Sequence, residues 1–116
     1  MEKLNYLTML TALRDCTETD GFRVGIFATR QARVLSIFDE LIKSMDDEER
    51  NAKSRSVRTA NSTFIEFKNG SYLKVLGAKE SARGNVFHRV LYEAGINEEI
   101  LNCVIRYTER LKSPLF

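Results

Sequence analysis

Arg83-Gly84 is a pair suited to holding a phosphate. A guanidinium presents a planar fork of donors to two oxygens, and the neighbouring glycine lets backbone come close. An exposed turn carrying a solvated arginine has the same composition. Arg30 stands where a strand-like run gives way to a helical one, the place where open α/β sheets keep their ligand crevice. A position in the first helical turn would favour an anion there, although a capping role accounts for it equally well. His88 is the sole histidine. It has no Ser or Cys partner at motif spacing, so no hydrolytic triad is supported, and a packed or exposed neutral imidazole is the simpler reading. Cys16 and Cys103 are isolated and lack CxxC spacing, which argues against a zinc site and, in a reducing cytosol, against a disulfide. Two charged stretches complete the set. Asp46-Asp47-Glu48-Glu49 could hold a cation but reads as an exposed loop, because negative charge is unfavourable beside a helix C-terminus. Lys53, Arg55 and Arg58, interleaved with Ser54 and Ser56, could touch phosphates but read as a solvated face. Tyr72 and Tyr92 read as sheet packing rather than as base-stacking platforms.

The elements that must position these residues follow from periodicity. Residues 3 to 15 place Leu4, Leu7, Leu10 or Thr11, and Leu13 at helical spacing, closed by the polar Thr17–Gly21 stop. Phe22–Ala28 has the composition and length of a buried strand, and Gly25 weakens it unless something packs closely there. From Arg30 the period changes: Val34, Phe38, Leu41 and Met45, widened by Leu35 and Ile42, give the clearest helix in the sequence. Thr63–Phe67 and Tyr72–Leu76 flank Lys68-Asn69-Gly70-Ser71, and Asn-Gly is a strong hairpin signal. Ser54–Thr59 is a further strand candidate, and Phe87–Tyr92 is another strand. Asn97-Glu98-Glu99 opens a last helix turning Ile100, Leu101, Val104, Ile105 and Leu111 inward and stopped before Pro114. The order helix, strand, helix, hairpin, strand, helix predicts an α/β fold: a small sheet with parallel strands plus an antiparallel hairpin, helices packed against it.

The chain has 116 residues, enough for one hydrophobic core, so residues 1–116 are read as one domain. Hydrophobic residues make up 43% and charged residues 29%, the balance of a folded globular protein. Eighteen Lys and Arg against sixteen Asp and Glu leave a formal charge of +2. That excludes a protein coating nucleic acid through its phosphates, so any such contact must be local. With no long apolar run and no signal-peptide core, a cytoplasmic protein without membrane contact is expected.

Three of these segments, in this order, resemble the central part of the ATPase domain of phage large terminases. Ile26-Phe27-Ala28-Thr29-Arg30-Gln31-Ala32 is similar to the strand and "TRxQA" helix that follow that family's phosphate loop. Phe64 to Val75 resembles its hairpin with a central Asn-Gly-Ser. Ala82-Arg83-Gly84 followed by Phe87–Ala94 resembles its Arg-Gly segment and Walker B strand. The match covers roughly residues 22 to 100, and the departures bear most on function. No G-x-x-x-x-G-K-[ST]-like loop precedes Phe22, and phosphoryl transfer is catalysed almost entirely by the placement such a loop supplies. Where the family has Asp-Glu, this chain reads Tyr92-Glu93-Ala94, so Glu93 could serve magnesium or act as base, but not both.

The resemblance therefore implies a non-catalytic phage or prophage-derived protein on a terminase-like half domain, in the cytoplasm of its host. It would interfere with a host process, such as defence, by binding a protein or a nucleotide-like anion near Arg30, Arg83 and Glu93. The alternative is an accessory subunit of a packaging motor, lending Arg83 or Glu93 to an ATPase site completed by another chain. No cofactor or metal is expected, although a nucleotide or magnesium ion is possible. A DNA-binding regulator is the third class. A half domain of this kind should expose apolar surface or an unpaired strand, so self-association is expected.

Overall fold

In the computed structural model, which describes residues 1–112, six strands form one mixed sheet in the order β1-β6-β2-β5-β4-β3. The strands are β1 (Glu2–Lys3), β2 (Arg23–Ala28), β3 (Lys53–Arg58), β4 (Thr63–Phe67), β5 (Tyr72–Gly77) and β6 (Arg89–Tyr92). The four helices are α1 (Tyr6–Glu18), α2 (Gln31–Ser44), α3 (Asp47–Ala52) and α4 (Glu98–Cys103). β1, β6, β2 and β5 run parallel, while β4 pairs antiparallel with both β5 and β3. The fold is the α/β class expected, with the hairpin extending a parallel half.

Alternation along β2 divides the core between the two faces of the sheet. Val24, Ile26 and Ala28 join Met9, Leu13, Val34, Phe38 and Leu41 beneath α1 and α2. Phe27 points the other way, into a smaller cluster with Ala82, Phe87, Val90, Val104 and Ile105. Gly25 shares that second face, and a Cβ there would lie 2.4 Å from the Phe87 ring. The close packing that Gly25 required is supplied by Phe87.

Three boundaries differ from the sequence reading. The first element is a strand rather than a helix: Glu2 and Lys3 pair with Leu91 and Tyr92, and α1 starts only after Asn5. Asn5 fixes that start through a capping box in which its side chain accepts from the Thr8 amide and the Thr8 hydroxyl accepts from the Asn5 amide. The acidic run is not an exposed loop. Asp46 accepts from the Glu49 amide and Glu49 from the Asp46 amide, so the same charges open α3, at the end of a helix where they are favourable. The last helix is short. It stops at Cys103 and gives way to a 3-10 turn, Ile105–Thr108, because the chain beyond it is drawn alongside Phe87, whose amide donates to the Thr108 carbonyl and whose carbonyl accepts from the Leu111 amide. Leu111 therefore lies outside the helix, and Pro114, read as its stop, lies outside the described residues. Among the described residues no helix is long and apolar enough to cross a membrane. Tyr6, Leu7 and Tyr107 are large hydrophobic side chains left exposed.

Candidate functional site

The register brings the carboxyl ends of the parallel strands to one rim. Phe27 sits beside Tyr92 and Ala28 beside Gly77, so Thr29-Arg30, Glu93 and the residues after Gly77 all emerge there. Open α/β sheets bind ligands at this rim.

Glu93 is held firmly. One carboxylate oxygen accepts from the Thr29 amide at 2.9 Å and the Thr29 hydroxyl at 2.8 Å, and the other accepts from Arg33 Nε at 2.7 Å. Partial burial would push its pKa up, but the Thr29 donors and the Arg33 guanidinium outweigh burial and hold it below its ordinary value. A carboxylate so satisfied is a brace between β2, β6 and α2. Arg30 occupies the N-cap position of α2, is exposed, and makes no side-chain capping bond. Arg33, which sequence reasoning did not single out, is the residue of α2 that reaches the rim's carboxylate. Only its i+3 position from Arg30 could have signalled this.

Arg83 and Gly84 lie elsewhere. Their segment runs over the second face of the sheet, where Arg83 Nε donates to Glu80 at 2.7 Å with both side chains more than half exposed. Gly84 adopts φ +94 with open space where a Cβ would be, so its turn, rather than a close approach, demands glycine. The pair borders a shallow depression with Tyr107 and Arg110. His88 is at the opposite end of the sheet from Glu93, since its neighbour Arg89 pairs with Val24. Its Nδ1 accepts from the Arg23 amide at 3.0 Å and its ring stacks on Phe22 at 5.1 Å. Of the sequence candidates, Arg30 and Glu93 share the rim, and Arg83, Gly84 and His88 do not join them.

Burial and the nearby Arg23 lower the His88 pKa below its ordinary 6.5. The folded protein thus binds that proton less readily than the unfolded chain. The stability His88 contributes is complete above pH 6.5 and is lost as pH falls through the lower folded value. Urea midpoints should fall between pH 7.5 and pH 5, and His88→Gln should flatten that interval. An unchanged slope in the variant would remove His88 from the account.

The two thiols differ in the same physical sense. Cys16 is on the buried face of α1, and burial drives its pKa up out of reach, whereas Cys103 is exposed at the end of α4. A thiol-reactive chromophore should titrate one equivalent in the native protein and two in denaturant. Among the described residues no group of three or more His, Cys, Asp or Glu is placed to hold a metal ion.

A crevice also opens at the rim. The chain leaves β2 for α2, which packs on one face, and leaves β5 for the connection through Ala82, which packs on the other. The chain therefore leaves these two strands, which stay paired to their last residues Ala28 and Gly77, toward opposite faces of the sheet. The space between is about 250 Å³, bordered by Gln31 and Val34 of α2, the Ala60–Thr63 loop, the end of β5, and Lys79, Ser81, Ala82 and Asn85 of the following connection. Its walls are tied together: Gln31 Nε2 donates to the Ala60 carbonyl at 2.9 Å, and Asn85 Nδ2 donates to the Ala82 carbonyl at 2.9 Å. At the other sheet-to-helix junction of the rim, β1 passes to α1 through Leu4 and Asn5 alone, and Asn5 is spent on capping. No protein-family model matches this chain, and neither does a curated protein or a solved structure.

Proposed function

We infer that the chain is a phage or prophage-derived binding protein on a terminase-like half domain, acting by occupying a host partner or holding a nucleotide-like ligand rather than by turning over ATP. The observation that carries this reading is the state of its rim. The strand-to-helix link that would hold a phosphate loop is two residues long, and the Walker B-like Glu93 has its oxygens committed to Thr29 and Arg33. A carboxylate braced in this way has little left to offer a magnesium ion or a water. Exposed Tyr6 and Leu7 support the expectation of self-association.

Purified protein incubated with ATP and magnesium is expected to release phosphate no faster than buffer. Native mass spectrometry of the protein recovered from an infected host lysate is expected to show a co-purifying protein or nucleotide. Hydrolysis at a motor-like rate would end this reading. The packaging-subunit alternative is favoured by one feature, the exposure of Arg83, which among the described residues is held by Glu80 alone. It predicts ATPase activity that appears on mixing with a chain carrying a phosphate loop and disappears with Arg83→Ala.

A further inference from the structure

The fold pairs a carboxylate with each of Arg14, Arg33, Arg55, Arg58, Arg83 and Arg89. No lysine of the described residues is paired in this way, and the crevice between the β2 and β5 exits gathers two of them. Lys74 and Lys79 both line it, and no aspartate or glutamate does. Lys74 is half-buried on β5, and its ammonium donates to one protein acceptor, Asn85 Oδ1 at 3.2 Å. Among the described residues no carboxylate lies within ion-pair distance of either lysine. Taking an ammonium partly out of water without a counter-charge is unfavourable, and an anion entering the crevice would relieve it.

The remaining lining fits an oxyanion. The Lys79 side chain lies across Gly77, where a Cβ would meet Lys79 Cε at 3.3 Å and Gln31 Oε1 at 3.8 Å, so glycine keeps the floor open between the lysine and the first turn of α2. That turn receives no side-chain acceptor from its N-cap, Arg30, although the Glu93 carboxylate already faces its start through Thr29 and Arg33. Asn61 and Ser81 border the same space and can donate to oxygen. Asn85 is fixed by the Ala82 carbonyl, so the Lys74 ammonium is held in place by a rigid acceptor.

We propose that this crevice binds the phosphate of a small phosphomonoester, of nucleoside monophosphate class, with Lys74 and Lys79 as its charge partners. A space of about 250 Å³ is small beside the ~300–1,000 Å³ of pockets that enclose whole drug-sized ligands. It encloses a phosphate and its adjoining sugar and leaves the remainder in solvent. This inference names the ligand for the binding function above and rests on that reading.

The test is a titration followed by amide NMR, with inorganic phosphate, AMP and a short single-stranded oligonucleotide carrying no terminal phosphate as separate probes. Phosphate and AMP should shift the amides of Gln31, Gly77, Ser81 and Asn85 saturably, AMP more tightly, and both less tightly as salt is raised. Lys74→Met keeps the aliphatic stem and should weaken AMP at least about tenfold, as should Lys79→Ala, whose exposed position leaves folding unaffected. Arg83→Ala, outside the crevice, should bind as the parent does. No saturable shift with either phosphate or AMP, AMP affinity equal to the parent's in both lysine variants, or a response to the oligonucleotide alone would overturn the proposal. Phosphorus NMR of the same samples with ATP separates the two claims. Turnover would end the binding-only reading while leaving the crevice assignment standing, and absence of both binding and turnover would remove the crevice assignment alone.

Discussion

Gly25→Ala is expected to cost about 3 kcal/mol, at the upper end of what overpacking a core produces, and Gly25→Val is expected not to fold. Gly25 is in the middle of β2, flanked by β5 and β6, so its backbone cannot shift without disturbing two ladders. The obstacle is equally fixed. Phe87 is fully buried, packs edge-on against Phe27 at 6.2 Å and Tyr72 at 6.4 Å, and places three ring carbons within 2.8 Å of where the new Cβ would sit. Phe87→Ala removes the ring and should itself cost about 3–5 kcal/mol through the cavity it leaves. The decisive measurement is the double-mutant cycle. With the ring gone the alanine at position 25 has room, so the pair should be less destabilising than the sum by about 1–3 kcal/mol. Strict additivity, or a Gly25→Ala variant as stable as the parent, would show that the close approach does not constrain the strand.

Asn69→Ala is expected to cost about 2–3 kcal/mol, more than an exposed hairpin tip would suggest, because it strips hydrogen bonds from the end of a helix far away in sequence. Asn69 Nδ2 donates to the Cys16 carbonyl at 2.9 Å, with longer contacts to the Thr17 and Thr19 carbonyls, while its Oδ1 accepts from the Ser71 amide. These are among the carbonyls a helix C-terminus leaves without partners. Ser71, itself buried, completes the junction: its hydroxyl donates to the Thr19 carbonyl at 2.7 Å and accepts from the Phe22 amide at 2.9 Å. Asn-Gly-Ser is thus a clamp between the β4–β5 hairpin and the α1–β2 turn. Asn69→Asp separates this role from turn formation. Asp-Gly is as good a hairpin turn as Asn-Gly, so a pure turn residue would tolerate the change. A clamp would not, since a carboxylate would face carbonyl oxygens. Denaturant melts of Asn69→Ala, Asn69→Asp and the exposed neighbour Lys68→Ala decide it, with Lys68→Ala expected within about 0.5 kcal/mol of the parent.

The crevice gives these fold-level features a functional consequence. Gly25 and Phe87 seat the connection after β5 against the second face, while α2 packs on the first, and the space between their origins carries the two unpaired lysines. The sheet keeps the rim at which α/β folds bind ligands, while Glu93 at that rim is used as structure.

What the sequence determined by itself was whatever local chemistry dictates. The period of Val34, Phe38 and Leu41 set α2, the β-rich run set β2, and Asn-Gly between alternating residues set the hairpin, since each pattern requires only its own neighbours to be satisfied. The class of the fold followed from their order. Asp46 and Glu49 also carried a legible signal, an acidic residue followed three places later by glutamate, but it marks a helix start and was outweighed by its position after a helix end. Tertiary structure alone decided the rest. β1 is two residues long and exists only because Leu91 and Tyr92 lie beside it. Arg30 and Glu93 reached the rim because strand ends are local features, whereas His88 fell at the opposite rim and Arg83 on the second face because register and connection path decide those places. Lys74 and Lys79 are two cations among eighteen in the sequence, and nothing in their spacing marks them. Which cations find a carboxylate, and which are left facing a crevice without one, is a property of distances between segments remote in the chain. Those distances exist only once the sheet has formed.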